Sequence, residues 1–311
     1  MTRIVADVGG TNCRLALCDT RGRLSAVQRF ANDDHQSFAE VVEDFLTAQN
    51  NPRVREMVVA VAGPLSGQRA RLTNRDWHFD SNALSQRFDL RAHLLNDLGA
   101  LGHALPLLPA SGLLPIFAPH PKREHTSTTQ HLVVGIGTGF NVSPVLITDG
   151  QANVLGAEAG HQALPQDLYR VLETRIGTAA VEFATVEACF SGRGLEAIHA
   201  AYFPEMSPRP AKEIIAAQST TAGLGFLNFY AELLALMCRN LRLAYLPEGG
   251  IHLAGSVARN LLTSPAKTRF IQVYAPQDPY CPQVSAPVSC IQEDSAALLG
   301  CAHLALPERQ I

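Results

Sequence analysis

The stretch Asp7-Val8-Gly9-Gly10-Thr11-Asn12 lies between two short apolar runs, and a second stretch, Gly135-Ile136-Gly137-Thr138-Gly139, directly follows the apolar run 132–134. Each pattern predicts a strand, a glycine turn and a second strand. Because glycine has no Cβ, consecutive backbone N–H groups in such turns can surround an anion. Each turn is therefore a candidate phosphate cradle, although a glycine hairpin is also an ordinary turn. Two such cradles facing each other could hold two phosphates of one nucleotide.

The bulk composition indicates a globular protein of ordinary type. A chain of 311 residues is long enough for two domains, and 47% hydrophobic with 17% charged residues is typical of soluble proteins. A net charge of −3 argues against a nucleic acid or a membrane surface as partner. The seven cysteines are scattered and form no CxxC pair, which predicts buried thiols in a reducing cytoplasm, without disulfides or a zinc site.

Residues 225–246 form the one stretch long and apolar enough to suggest a membrane span. Its polar residues recur every three or four positions, from Asn228 through Glu232 and Arg239 to Arg242, while the opposite positions are apolar and face a core. This spacing predicts an amphipathic helix with one buried face. Arg3 and Asp7 interrupt the N-terminal apolar run, so no signal peptide is expected.

Strands and helices alternate along the chain in an α/β pattern. A helix is predicted to begin at Ser37, which forms a capping box with Glu40. Residues 105–130, rich in proline and leucine, predict an irregular connection and a domain boundary. The other predicted elements are strands at 3–8, 13–18, 24–30, 57–62, 93–95, 143–148 and 251–254, and helices at 166–175, 193–202, 210–217, 224–246 and 294–306.

Asn96 and Asp97 follow the short predicted strand 93–95 and precede a helix rich in alanine and leucine. A carboxylate at the end of a buried strand can accept a proton from a substrate hydroxyl, and the neighbouring amide can hold that hydroxyl in place. The same two residues could simply cap the helix that follows, since Asn and Asp are preferred caps. Both interpretations remain open at this point.

Glu158 and His161 stand in the segment GAEAGH at 156–161, whose small residues predict a tight loop, and Glu187 precedes the segment SGRGL. Carboxylates and an imidazole in one place suit a polyol ligand, whose hydroxyls both donate and accept hydrogen bonds. The alternative is a metal site built from the same three residues. Asp7 has two interpretations as well: it initiates a turn, or it anchors the water shell of a Mg²⁺ ion. Asn74, close to the lone tryptophan Trp77, is a further candidate to line the site.

Taken in order and spacing, eight motifs resemble the bacterial glucokinase family, in the zinc-free branch of the sugar kinase, heat-shock protein and actin superfamily. They cover nearly the whole chain: DVGGTN at 7–12, TNRDW at 73–77, LNDLGA at 95–100, GTG at 137–139, GAEAGH at 156–161, SGRGL at 191–195, HLAG at 252–255 and DSAALLGCAHL at 294–304. The cysteine-bearing zinc motif of the related repressor and kinase subfamily is absent.

The resemblance implies a two-domain actin-like, ribonuclease-H-like α/β fold with an active-site cleft between the domains. The smaller domain would comprise 1–105 plus 293–311, and the larger 106–292. The implied activity is ATP-dependent phosphorylation of glucose to glucose 6-phosphate with Mg²⁺, in a cytoplasmic homodimer. Asp97 would be the general base. The implied sugar-binding residues are Asn96, Asp97, Glu158, His161, Glu187 and Asn74. The implied nucleotide-binding residues are Asp7, Gly9, Gly10, Thr11, Asn12, Gly137, Thr138, Gly139 and Gly255, with Asp7 reaching the metal through water.

Three departures from the family pattern bear on function. Phe140-Asn141 replaces the usual Leu-Gly after GTG, Ser256 replaces the second glycine of Ala-Gly-Gly, and GAEAGH replaces a loop usually richer in glycine. The first two predict that the Asn141 side chain enters the nucleotide region and that nucleotide affinity is altered. Two alternatives therefore accompany the glucokinase hypothesis: a kinase for another hexose or amino sugar, and a catalytically impaired sugar-sensing protein.

Overall fold

The computed structural model describes residues 2–119, 127–279, 281 and 284–306. Its first elements are β1 (Thr2–Val8), β2 (Asn12–Cys18), β3 (Leu24–Ala31), α1 (Phe38–Ala48), β4 (Val54–Val61), β5 (Leu65–Ser66), β6 (Arg69–Arg71), β7 (His78–Asp80), α2 (Ser81–Phe88), β8 (Arg91–Asn96), α3 (Asp97–Ala104) and β9 (Leu113–Phe117). They are followed by β10 (Thr128–Ile136), β11 (Phe140–Thr148), β12 (Gln151–Val154), α4 (Gln166–Ile176), α5 (Val186–Cys189), α6 (Gly192–Tyr202), α7 (Ala211–Ala216), α8 (Thr221–Tyr245), β13 (Gly250–Ala254), α9 (Ser256–Leu262), α10 (Lys267–Tyr274), β14 (Val288–Ile291) and α11 (Ala296–His303).

The chain divides into two compact units, Met1–Leu108 with Asp294–Ile311, and Pro109–Glu293. Unit 1 is built on a five-stranded sheet of order β3-β2-β1-β4-β8, in which β1, β4 and β8 run parallel and β1–β2–β3 form an antiparallel meander. Residues 57–61 of β4 are fully buried because α1 covers one face of the sheet and α3 with α11 cover the other. The predicted continuous apolar strand is thus confirmed.

Unit 2 contains a six-stranded sheet of order β12-β11-β10-β13-β14-β9. β10 pairs with β11 as an antiparallel hairpin and with β13 in parallel, so the second glycine stretch, like the first, joins two paired strands. Both predicted strand–glycine turn–strand patterns are confirmed. α8 runs through the core of this unit.

Helix α1 begins where the sequence predicts. Ser37 accepts a hydrogen bond from the Glu40 backbone N–H at 3.4 Å, while the Glu40 carboxylate accepts from the Gln36 N–H at 2.7 Å. The Glu40 side chain therefore reaches one residue further back than in a standard capping box, which satisfies an N–H just outside the helix.

The irregular connection predicted for 105–130 is wrong in part, because β9 lies within it and pairs with β14. The proline at position 115 hides this strand from a pattern-based prediction, yet proline is tolerated at a sheet edge, and β9 is the edge strand. Residues 120–126 of this stretch lie outside the described residues, as do 307–311 of the predicted smaller domain.

Within the described residues, α8 is the one helix long and apolar enough to cross a membrane, and 56% of its most apolar window is buried. Its predicted polar stripe is wrong at Arg242, which is 1% exposed. α10 packs on this part of α8, and its last carbonyl group, on Tyr274, accepts from the Arg242 guanidinium at 3.4 Å. The guanidinium also lies over the Tyr274 ring, 5.0 Å from its centroid.

Candidate active site

The candidate residues fall into two groups, one carried by each unit. In unit 1, Asp7 is the penultimate residue of β1, and the turn that follows is closed by a hydrogen bond from the Gly9 N–H to the Asn12 carbonyl at 3.0 Å. Asn12 in turn donates to the Thr11 hydroxyl at 2.8 Å and accepts from Arg29 at 3.1 Å. The first glycine turn is thus an ordered loop at the carboxyl end of β1.

Asn32 holds this turn from behind, a role that the sequence analysis missed. Its side-chain amide donates to the Gly9 carbonyl at 2.8 Å, and its backbone N–H donates to the Thr11 carbonyl at 2.9 Å. The side-chain oxygen accepts from the Cys13 thiol at 3.0 Å, and burial raises the pKa of that thiol to about 12, so it remains a donor. Asn32 is 0% exposed, and its polar atoms are satisfied within the protein.

The segment 73–77 is attached to the same place. Arg75 donates to the Asn32 carbonyl at 2.9 Å and lies 5.2 Å from the ring centroid of Trp77, which is buried. Asn74 thereby comes to rest against the first glycine turn, since a Cβ at Gly10 would lie 3.6 Å from the Asn74 Cβ. Asn74 therefore borders the predicted phosphate cradle in this unit.

Asn96 and Asp97 stand at the carboxyl end of β8, on the same sheet edge as Asp7, because β1, β4 and β8 are parallel. Asn96 caps α3: its side-chain oxygen accepts from the Leu98 N–H at 3.0 Å, and its amide donates to the Gly63 carbonyl at 3.3 Å. Asp97 also accepts from the Leu98 N–H, at 2.9 Å. The capping interpretation is therefore correct for Asn96, and it does not exclude substrate contacts by either side chain.

The electrostatics of this edge favour a base at Asp97. The pKa of Asp97 is raised to about 6, chiefly by burial and in addition by the negative charge of Asp7, while the hydrogen bond from the Leu98 N–H opposes both effects. Burial likewise raises the pKa of Asp7, against the opposing charge of Arg14. Two carboxylates near each other in a partly buried site shift titration toward neutral pH, as a general base requires.

In unit 2, three segments brace the second glycine turn. The Gly192 N–H at the start of α6 donates to the Gly137 carbonyl at 2.7 Å, and the Phe140 N–H donates to the Glu187 carboxylate at 3.1 Å. Gly255, with φ +97°, passes so close that a Cβ there would lie 2.2 Å from the Ile136 carbonyl oxygen. Gly255 thus borders the Gly137–Gly139 turn, and Thr138 is exposed at its tip. A side chain at Gly255 would be excluded by both its backbone conformation and its contact.

The loop 156–161 packs against the same turn. A Cβ at Gly160 would lie 2.2 Å from the Phe140 carbonyl oxygen and 3.4 Å from the Glu187 Cβ. The structure therefore brings Glu187 beside both the second glycine turn and this loop, and it leaves Glu158 and His161 exposed. Among the described residues, no three His, Cys, Asp or Glu side chains are grouped to hold a metal ion. The alternative metal site at these three residues is therefore not formed.

The structure shows the surroundings of two of the sequence departures. Phe140 is 3% exposed and packs on Phe190 with ring centroids 6.0 Å apart, so it belongs to the core. The Asn141 side chain does not stand free beside the glycine turn, because it hydrogen-bonds to the loop that carries Glu158. That loop offers the Asn141 amide an acceptor and a donor, so the side chain is held against the loop, and its entry into a nucleotide region stays a prediction. Ser256 begins α9 directly after Gly255.

A family model described as Glucokinase matches residues 4–308. The chain belongs to the glucokinase family. The resemblance drawn from the eight motifs is confirmed, and the chain is an enzyme of the sugar kinase class. A curated glucokinase from Nitrobacter hamburgensis is 28% identical over 323 aligned positions, which cover 98% of this chain and 97% of that protein.

Solved structures agree with this assignment. The crystal structure of a glucokinase from an Antarctic psychrotroph has a TM-score of 0.81 at 25% identity and covers 97% of both chains. A ROK family glucokinase from Streptomyces griseus, in complex with glucose and AMPPNP, has a TM-score of 0.64 at 19% identity and covers 97% of this chain and 98% of that one. The second likeness shows the shared fold. The α/β sugar kinase fold predicted from the sequence is confirmed.

Proposed function

We propose that this member of the glucokinase family transfers the γ-phosphate of ATP to the 6-hydroxyl of glucose, with Asp97 as the general base. The observation that supports this most directly is the position of Asp97. It is a partly buried carboxylate at the carboxyl end of the parallel strands of the first sheet, on the same edge as the first glycine turn, and its pKa is raised to about 6. Such a group accepts a proton readily near neutral pH.

The proposed roles of the other residues follow their chemistry. Asn96 can donate and accept at the same hydroxyl, while Glu158, Glu187 and His161 offer acceptors and a donor to the remaining hydroxyls. Fixing a polyol by several hydrogen bonds lets one hydroxyl be presented to the phosphate, which is an orientation effect. Phosphoryl transfer needs little covalent help from the protein, so positioning and charge neutralisation account for most of the catalysis.

The proposed phosphate contacts are the glycine turns with Thr11, Asn12 and Thr138, and Gly255 would allow close approach of the nucleotide. Asp7 suits a Mg²⁺ ion held through water, because its carboxylate borders the first turn and Mg²⁺ keeps several waters and few protein ligands. A cation there would offset the charges of both Asp7 and Asp97. When bound, Mg²⁺ would supply charge neutralisation for the phosphates. The Streptomyces griseus structure, with glucose and AMPPNP, supports both ligand classes.

The sugar-sensing alternative was motivated mainly by Phe140-Asn141 and Ser256. Phe140 is buried in the core and Asn141 bonds to the loop of Glu158, which favours the kinase over this alternative. A kinase for another hexose or amino sugar remains the alternative within the enzyme class. The family also suggests a cytoplasmic homodimer, which light scattering after size exclusion would test.

The first test is a coupled assay for glucose 6-phosphate with glucose, ATP and Mg²⁺, comparing wild type with Asp97→Asn. Asparagine keeps the size and hydrogen bonding of Asp97 and cannot accept the proton, so kcat should fall on the order of 10²-fold or more. Wild-type kcat/KM should also decrease below about pH 6, where Asp97 becomes protonated in the free enzyme. Asp44→Asn, on an exposed α1 carboxylate, is the matched control and should leave turnover unchanged.

Three results would redirect the proposal. Near-normal turnover in Asp97→Asn removes Asp97 from the base role. Turnover with another hexose or an amino sugar in place of glucose selects the alternative kinase. Glucose binding by calorimetry without turnover or nucleotide binding selects the sugar-sensing protein.

A further inference from the structure

Asn141, the second residue of β11, makes four hydrogen bonds through one side chain. Its amide nitrogen donates to the Ala157 carbonyl at 2.7 Å and to Glu158 Oε2 at 3.2 Å. Its oxygen accepts from the Ala159 N–H at 3.0 Å and from the Val142 N–H at 2.8 Å. Three of the four partners therefore lie in three consecutive residues of the loop 156–161.

The pattern fixes the peptide on both sides of Glu158. The Asn141 side-chain amide bonds to the Ala157 carbonyl before Glu158 and to the Ala159 N–H after it, as the backbone of an adjacent strand would. In the described part of the chain, the backbone carbonyls of Glu158 and Ala159 accept only from nearby residues: from the His161 N–H at 3.3 Å and from the Gln162 N–H at 3.2 Å, respectively. Asn141 thus joins an exposed turn to a strand of the central sheet.

The carboxylate of Glu158 receives the remaining contact. Glu158 is exposed, and among the described residues Asn141 is the one side chain that hydrogen-bonds to it. An exposed glutamate ordinarily samples many rotamers, and ordering it during ligand binding costs free energy. A donor on Oε2 orders the group beforehand and leaves Oε1 to accept from a ligand hydroxyl.

We propose that Asn141 is a positioning residue that orients Glu158 for the sugar, and so contributes to sugar affinity and selectivity without contributing to nucleotide affinity. This inference rests on the proposed function. It reverses the expectation from the sequence, in which Asn141 affects the nucleotide. Where the family usually has glycine, this chain uses a side chain to order a loop that has alanine at 157 and 159.

The test compares Asn141→Leu and Asn141→Asp with wild type. Leucine has a similar size and removes all four hydrogen bonds. Aspartate keeps the acceptor for the Ala159 N–H, loses both donors and places a second carboxylate beside Glu158. Glucose affinity, by calorimetry without nucleotide and as KM, should weaken on the order of tenfold or more in both variants, since hydrogen bonds to charged groups are among the stronger ones. The KM for ATP should change less than about twofold, the scatter expected for a group that makes no nucleotide contact.

Ser143→Ala is the matched control. The Ser143 hydroxyl, also on β11, donates to the carbonyl of Leu155, which directly precedes the loop, at 2.9 Å. Its removal therefore takes away a hydrogen bond beside the same loop and leaves the contacts of Glu158 in place. This variant should keep both affinities. A double-mutant cycle with Glu158→Gln gives the decisive measurement: once Glu158 is replaced, Asn141→Leu should weaken glucose binding much less than it does in wild type.

The outcomes separate the positioning role of Asn141 from the proposed function on which it rests. An equal rise in both KM values, additive effects in the cycle, or a matching loss in Ser143→Ala would overturn the positioning role alone, because each indicates general loosening of the loop. Wild-type protein that neither binds nor phosphorylates glucose would overturn the proposed function and this inference together. If Asn141→Leu does not fold, the isosteric Asn141→Asp carries the same comparison.

Discussion

At the residue scale, the second sheet contains a chain of hydrogen bonds built on two histidines, the buried His252 and the half-buried His131. His131 Nδ1 lies 3.0 Å from His252 Nε2, and the other ring nitrogens reach Thr129 at 3.0 Å and Ser289 at 2.9 Å. The pKa of His252 is lowered to about 3, chiefly by burial and in addition by repulsion from His131. His252 is therefore neutral in the folded protein at every pH where the enzyme is expected to work.

This arrangement predicts loss of stability in acid. Unfolded, His252 binds a proton below about pH 6.5, whereas folded it remains neutral until about pH 3. The unfolded state therefore binds more protons in this window, and stability falls as the pH falls, by up to about 1.4 kcal/mol per pH unit. Between pH 7.5 and 5.0, the free energy of unfolding measured in urea should fall by about 2 kcal/mol more in wild type than in His252→Gln, because glutamine does not titrate.

The comparison between two pH values removes the cost of the substitution itself. Glutamine can donate and accept at the positions of Ser289 and His131, so the variant should fold. Equal pH dependence in both proteins would show that His252 is protonated in the folded state at pH 5.0.

At the element scale, α3 and α11 pack across one face of the first sheet at a distance that only glycine allows. A Cβ at Gly300 would lie 1.8 Å from the Ala100 carbonyl oxygen, which is backbone and cannot rotate away. The end of α11 is also held by Arg3 of β1, whose guanidinium donates to the Ala302 carbonyl at 3.0 Å and the Leu304 carbonyl at 3.1 Å. The C-terminal helix is thus an integral part of the first unit.

Gly300→Ala should therefore destabilise the protein by at least about 2 kcal/mol, because the helices must separate to admit the methyl group. Gly99→Ala is the matched control in α3, where a Cβ would meet no atom within 4 Å. That change should be neutral or stabilising by up to about 1 kcal/mol, from helix propensity alone. Urea midpoints of the two variants should move in opposite directions, and a stable Gly300→Ala would contradict the close packing.

At the scale of the whole molecule, the seven cysteines are free thiols distributed through both units. Six are buried, and only Cys281 is partly exposed. Burial also raises the pKa of all six buried thiols, so the reactive thiolate is rare. The prediction of buried thiols is confirmed for six of the seven, and all seven are free of disulfides in the structure.

Thiol titration should show this distribution directly. Native protein should react rapidly with at most one equivalent of a disulfide reagent, and guanidinium-unfolded protein with seven. Cys281→Ser should remove the rapid reaction, and reductant should leave the melting temperature unchanged. Several rapidly reacting thiols in the Cys281→Ser protein would contradict the burial of the others.

Local patterns in the sequence predicted much of the fold and part of the candidate site. The apolar strands, the Ser37 cap and the two glycine turns were predictable because they depend on residues close together in the chain. The same holds for Asn96 and Asp97, since a polar pair after an apolar strand and before a helix can only lie where the strand ends.

The tertiary structure alone decided which distant groups meet. Asn32, Asn141 and Arg242 each carry polar atoms whose partners come from other segments: the first glycine turn, the Glu158 loop and the end of α10. No periodicity encodes such contacts, because a buried polar group is stabilised by whichever donor or acceptor the fold brings within about 3 Å of it. The sequence by itself therefore determined most of the elements and the family, and the packing of those elements decided that Asn141 bonds to Glu158 and that Arg242 is buried.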